Sequence, residues 1–382
     1  MNRKRNIFKL GKITRCVFGI SLLFLLCVAF AGCKNRYLIK GMRDTYLKFR
    51  ASPGIDRYHI FHNGIVQTGM PLAWSSAQKY NKDTIPNTYE QFLEKNNTIA
   101  YLVIKNDSVC YEKYFNGFSD TSHTNSWSMA KSIVGILIGV AIKEGKIKSV
   151  DEKVSDFIPS YNRGLDTLLT IKDLLTMSSG IHFGENYTSP FGYAAKALYG
   201  NNLMWLTLKR HCVDKPGSIY EYQSGNTQLL GYILTKATGE SLSDYASDKL
   251  WKHIGAERPG YWSEDHKNGM EKAFCCFNSN ARDFARIGKL MMDSGKWNGE
   301  DIITQKYFIE CTKGQTVDYY GYQWWIGHRG GHRVIYADGF LSQFIVVIPD
   351  EKMIVVRLGN GSCKDDMETY TDLALLMYGN KK

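Results

Sequence analysis

Apolar and polar residues change their rhythm several times along this chain, and each change predicts an element. Cys16 to Phe30 is a nearly unbroken apolar stretch. Residues 98–105 (TIAYLVIK) and 108–114 (SVCYEKY) are rich in β-branched and aromatic residues, with Asn106-Asp107 between them. Asn and Asp tolerate the positive φ of a two-residue turn, so the pair reads as a β-hairpin. Ser132 to Ile142 (SIVGILIGVAI) is apolar on all sides and predicts a buried helix, too short to cross a bilayer. Helical patterns dominate residues 126–317. Strand-like runs return at 322–328, 333–337, 342–348 and 353–358, with Pro349-Asp350 as a turn, and 366–378 reads as a helix. Strands at both ends around a helical middle predict one sheet assembled from both ends of the chain. The sheet domain is then 98–125 with 318–382, the inserted helical domain is 126–317, and residues 33–97 form an extension wrapped on the main body.

Composition changes this picture mainly at the N-terminus. The chain has 382 residues, 48 Lys and Arg against 37 Asp and Glu, and 44% hydrophobic residues, which excludes a disordered or fibrous protein. Six cations and no acids fall within residues 1–32, which leaves a net charge of +5 on the rest. That is an ordinary surface and gives no argument for a nucleic-acid partner. A basic start followed by fifteen apolar residues fits a signal peptide better than a bilayer span of about 20. Phe30-Ala31-Gly32-Cys33 then resembles a bacterial lipobox, with Phe30 where Leu is usual. The expectation is an exported lipoprotein of the cell envelope, held on a membrane by a lipid on Cys33; a signal anchor or plain secretory cleavage are the alternatives. Six cysteines lie beyond Cys33: Cys110, Cys212, Cys275, Cys276, Cys311 and Cys363. A chain this long has core enough without disulfides, so free, buried thiols are expected. No Cys-x-x-Cys pair suggests zinc, and neither metal nor cofactor is expected.

Candidate chemistry begins at Ser128-Met129-Ala130-Lys131, directly before the buried helix. Ser and Lys three apart share a helix face, and a lysine desolvated at the end of such a helix can be neutral near pH 7 and activate the hydroxyl. The motif alone is weak. Ser76-Ala77-Gln78-Lys79 also fits it but leads into polar residues and reads as surface, while Ser128 itself could be a helix cap. Support comes from residues 216–231 (PGSIYEYQSGNTQLLG), where a Pro-Gly turn precedes a helix opening near Ser224 and presents Tyr222 at its entrance. A phenol there could relay a proton between Ser128 and a leaving group.

These segments occur in order with TIKDLLTMSSGIHF, ARDFARIGKLMMDSGKW, YGYQWWIG and YADGFLSQFIVVIPD. Together, from about residue 90 to the end, they resemble the serine β-lactamase-related hydrolases (class C β-lactamases, penicillin-binding proteins and esterases), and most of all the 6-aminohexanoate-dimer hydrolase branch. The resemblance implies an α/β (α+β) fold: an antiparallel sheet flanked by helices, plus an all-helical domain, with the site between them. It implies acylation of Ser128, activation by Lys131, and proton relay through Tyr222. It also implies an oxyanion hole from the backbone N–H groups of Ser128 and Phe340, and a third motif at Ala337-Asp338-Gly339. Lys or His usually opens that motif, and Ser224 stands where Asn is usual in Tyr-x-Asn, although the nylon-oligomer branch has Ser. Both departures favour a small amide or ester over β-lactams or D-Ala-D-Ala peptides, which stay as the alternative substrates. Tyr187, Ser224, Asp338 and Gly339 are the expected substrate contacts.

Other hydrolase templates fail. There is no Gly-x-Ser-x-Gly elbow, no His-Glu-x-x-His and no Gly-rich loop ending in Gly-Lys-Ser/Thr. The rival from another class is a non-catalytic envelope-binding or sensor lipoprotein, which would need none of Ser128, Lys131 and Tyr222.

Overall fold

The computed structural model describes residues 36–45, 47, 52–187, 189–361 and 366–380. Residues 1–35, and with them the signal and Cys33, lie outside the described residues, as does Cys363. In chain order the strands are β1 (His62–Val66), β2 (Ser75–Ser76), β3 (Thr98–Lys105), β4 (Ser108–Tyr114), β5 (Thr124–Asn125), β6 (Gly260–Glu264), β7 (Phe277–Ser279), β8 (Lys296–Trp297), β9 (Glu300–Asp301), β10 (Trp325–Arg329), β11 (His332–Gly339), β12 (Gln343–Ile348) and β13 (Met353–Gly359). The main sheet has the order β10-β11-β12-β13-β3-β4-β2. Its pairs are antiparallel except the short β2–β4 edge. The hairpin expected at Asn106-Asp107 joins β3 and β4, with φ of 48° and 60° at the two turn residues.

This sheet is buried on both faces, and the strand alternation divides its side chains between two cores. On β3, Ala100, Leu102 and Ile104 face the larger core, while Tyr101 and Val103 face the smaller one. The helices used below are α1 (Arg36–Asp44), α2 (Asn87–Lys95), α3 (Met129–Lys143), α4 (Tyr193–Tyr199), α5 (Ser224–Thr238), α6 (Ala281–Met292) and α7 (Asp366–Tyr378). Helices α2 and α7 contribute Leu93, Met367 and Tyr370 to the smaller core; α3 and α6 fill the larger. Every residue of α3 from Met129 to Ala141 is buried, as its all-round apolar sequence requires.

Between residues 126 and 317 helices predominate, and two findings refine the sequence picture. Strands β6 and β7 lie in this stretch and join β1 and β5 in a small second sheet, β1-β6-β7-β5. Helix α6 packs against β12, β13 and β3 of the main sheet. Residues 36–97 do wrap the body: β1 is an edge of the second sheet, β2 an edge of the main one, and α1 lies against α4. The expectation of free thiols is corrected at one place, because Cys275 and Cys276 form a disulfide between neighbouring residues. Such a link closes no loop, so the reasoning from core size had no bearing on it. Cys110, Cys212 and Cys311 are free.

Candidate active site

Ser128 is the cap residue at the start of α3, and the backbone that delivers it is strained. Trp127 has φ of 46°, a left-handed conformation that a bulky residue adopts only when its surroundings enforce it. They do so here: Asn125 Oδ1 accepts from the Trp127 N–H at 2.8 Å, Phe277 O accepts from the Ser126 N–H, and the Trp127 ring meets Phe340 edge to face. The result is an elbow that presents Ser128 at the lip of a cleft.

Lys131 lies one turn along α3, with 1% of its surface exposed. Its Nζ donates to Ser128 Oγ at 2.9 Å and to the Phe274 carbonyl at 2.8 Å. Burial pushes the Lys131 ammonium down to about 8, with the carboxylates of Glu185 and Asp338 opposing that fall. About a tenth of the amine is therefore neutral at pH 7, far more than for an ordinary lysine.

Tyr222 stands two residues before α5, as the turn-then-helix pattern predicted. Its hydroxyl lies beside Ser128, and its ring lies 5.1 Å from Lys131 Nζ. Trp325 stacks on it at 5.6 Å and Tyr320 meets it edge-on, so the segment 320–325 (YGYQWW) is the wall that fixes the phenol. Gln323 ties that wall down. Its carbonyl accepts from Ser132 of α3, its Oε1 accepts from Thr227 of α5, and its Nε2 donates to Leu174 and Leu175. Burial raises the Tyr222 phenol well above its ordinary value, and the charges of Glu185 and Asp338 add to this. The two groups around Ser128 thus diverge. Lysine is brought toward neutrality, and tyrosine is kept protonated.

The third expected motif sits at the end of β11. Ala337 is fully buried in the core, whereas Asp338 is half-buried on the opposite face of the strand and close enough to act on Lys131. Gly339 is required by proximity: a Cβ there would lie 2.2 Å from the Ser126 carbonyl. Phe340 follows in a tight turn to β12 with Leu341 and Ser342 both at positive φ. The turn that carries Phe340 therefore packs against the segment just before Ser128.

Ser224 is buried and donates from Oγ to Glu185 Oε1 at 2.5 Å, while its N–H donates to Glu185 Oε2 at 2.9 Å. Tyr187 is exposed, stacks on Phe340 and donates its hydroxyl to the same carboxylate. Sequence reasoning missed Glu185, although it lies in the GENYTSP segment singled out for Tyr187. It also missed the Phe274 carbonyl and the adjoining Cys275, which lines the cleft. No sequence signal marks a main-chain acceptor. The second Ser-x-x-Lys copy, Ser76 and Lys79, is exposed, in keeping with its polar surroundings.

A lysine-activated serine backed by a neutral phenol is the equipment of a serine hydrolase. The model of the Beta-lactamase family matches residues 86–377, most of the chain. The chain belongs to the beta-lactamase family. This beta-lactamase-family serine hydrolase is 25% identical over 301 residues to the 6-aminohexanoate-dimer hydrolase of Paenarthrobacter ureafaciens, which covers 71% of this chain and 74% of that protein. Among solved structures it is similar to a Bacillus anthracis protein provisionally assigned as a 6-aminohexanoate-dimer hydrolase, with a TM-score of 0.73 and 22% identity over 83% of this chain and 90% of that one. It is also similar to a class C beta-lactamase, with a TM-score of 0.61 and 16% identity over 78% and 96% of the two chains. These structural likenesses establish the expected β-lactamase/transpeptidase-like fold, an antiparallel sheet flanked by helices.

Proposed function

We propose that this protein hydrolyses small amides or esters through an acyl-enzyme on Ser128. The observation that carries the reading is the buried Lys131 amine 2.9 Å from the Ser128 hydroxyl, with Tyr222 beside it. The neutral amine takes the Ser128 proton as Oγ attacks the carbonyl carbon. The tetrahedral oxyanion is held by the N–H groups of Ser128 and Phe340, and donors of this kind contribute about 3 kcal/mol each. Tyr222 passes the proton on to the departing amine or alcohol. Water then attacks the acyl-enzyme along the same relay in reverse and restores the free serine. With Ala337 in place of a cationic residue, the third motif offers no charge to a substrate carboxylate. That supports plain amides and esters over β-lactams. Export and a lipid on Cys33 belong to the same reading and rest on the basic start, the apolar run and the small residues before the cysteine.

Treatment with a fluorophosphonate probe should give a stable adduct on Ser128, and p-nitrophenyl esters should be turned over better than nitrocefin. Ser128→Ala should lose both adduct and turnover. Hydrolysis that survives Ser128→Ala would sink the mechanism; preference for nitrocefin would sink the substrate assignment.

A further inference from the structure

The cleft in front of Ser128 has a wall that comes from outside residues 86–377, the stretch matched by the family model. Helix α1 turns one face to it, through Tyr37, Leu38, Gly41 and Met42, positions that follow the i, i+4 spacing of a helix side. Gly41 allows this approach, since a Cβ there would lie 3.3 Å from the Tyr199 ring of α4. Lys40 fastens the helix from outside by donating to Asn201 Oδ1 at 2.7 Å. On the far side stand Trp127 and Phe340, and the space between holds about 990 Å³ including its mouth.

Three properties of this space define an occupant. First, among the described residues no charged side chain lines it, although Glu185, Asp338 and Lys131 lie just beyond. Second, Tyr37 and Trp127 both line it, both are more than nine-tenths buried, and neither Tyr37 OH nor Trp127 Nε1 has a hydrogen-bond partner among the described residues. Buried donors of this kind call for an acceptor. Third, Ser128 and Phe340 border the space but Tyr222 does not. If Tyr222 marks the side by which the leaving group departs, this cleft lies on the acyl side.

We propose that the cleft binds the acyl part of the substrate, an uncharged and mainly apolar chain carrying a neutral acceptor such as a carbonyl or ether oxygen. Leu38 and Met42 of α1 set the chain length it accepts. This inference rests on the acyl-enzyme reading of Ser128 and adds the substrate class. A charged chain end is disfavoured because no charge among the described lining residues compensates its desolvation.

The test is a series of p-nitrophenyl esters with acyl chains of two to twelve carbons, together with a 6-aminohexanoyl ester, on the full chain. We expect kcat/KM to rise at least ten-fold from acetyl to hexanoyl or octanoyl, and the 6-aminohexanoyl ester to be at least ten-fold poorer than hexanoyl. Met42→Trp should lower the octanoyl-to-acetyl ratio ten-fold, and Leu38→Ala should raise the ratio of dodecanoyl to octanoyl. A flat profile, or a preference for the ammonium-bearing chain, overturns the proposal while Ser128-dependent turnover still upholds the hydrolase reading. Binding to Ser128→Ala by calorimetry supplies a measure free of catalysis. N-methyloctanamide should bind at least ten-fold tighter than either N-methylacetamide or octanoate, and equal binding of the three also overturns it.

Discussion

On the proposed mechanism Lys131 must be neutral to accept the Ser128 proton, and its surroundings set the pH at which that holds. Burial depresses the ammonium to about 8, so kcat/KM should climb as pH rises toward that value and level off above it. Glu185 opposes the depression. In Glu185→Gln the lysine loses a stabilising anion, its ammonium becomes easier to deprotonate, and the acid limb should move to lower pH. A pH–rate profile of the variant checks this; an upward or absent shift removes Glu185 from that role. Replacing the base itself, Lys131→Met, should cost on the order of 10²–10⁴-fold in kcat/KM. Ser128, Lys131 and Tyr222 were legible in the sequence because each lies beside a strong local pattern, an apolar helix for the first two and a Pro-Gly turn for the third. Glu185 was not, because its partner Ser224 lies 39 residues away and no periodicity links them.

Among the elements, the turn from β11 to β12 is held by a side chain from a third strand. Arg357 of β13 is fully buried and donates to the carbonyls of Leu341, Ser342 and Asn96. Gln343 adds bonds to Phe340 O and Leu341 O. Arg357→Leu would take a donor from all three carbonyls, of which Leu341 O keeps Gln343; at about 1 kcal/mol or more for each of the other two, urea denaturation should register a loss of about 2 kcal/mol. Because Phe340 lies in the same turn, kcat/KM should fall as well. A stability loss with unchanged kcat/KM would separate the turn from the oxyanion site. The strands themselves were well marked. Residues 98–105 and 108–114 coincide with β3 and β4, and 366–378 with α7, since alternation and turn residues are local signals. Strand β10 begins at Trp325 rather than 322, because Tyr322 and Gln323 are spent on packing against α3. Helix α1 carried no usable pattern; its place is decided by contact with α4.

Across the whole molecule, the proposed lipid anchor is three residues upstream of α1, the helix that walls the cleft. Protein recovered from the membrane fraction should begin at an acylated Cys33, and Cys33→Ala should release it or leave it uncleaved. An unmodified Cys33 in membrane-bound protein would end the lipoprotein reading. The two-ended sheet domain was visible in the sequence as strands flanking a helical stretch. The second sheet was not, because β5 and β7 are two and three residues long.

The main sheet also sets a timetable. Its interior strand β3 pairs with the central strand β13, which the ribosome reaches some 250 residues later, near the end of synthesis. Until then β3 has an open edge where its partner belongs, and neither core can close. A chain cut short before residue 353 would carry every one of Ser128, Lys131, Tyr222 and Gly339 and still have no site. On the proposed export route, that dependence on the last strand would keep the chain extended until translocation is nearly complete.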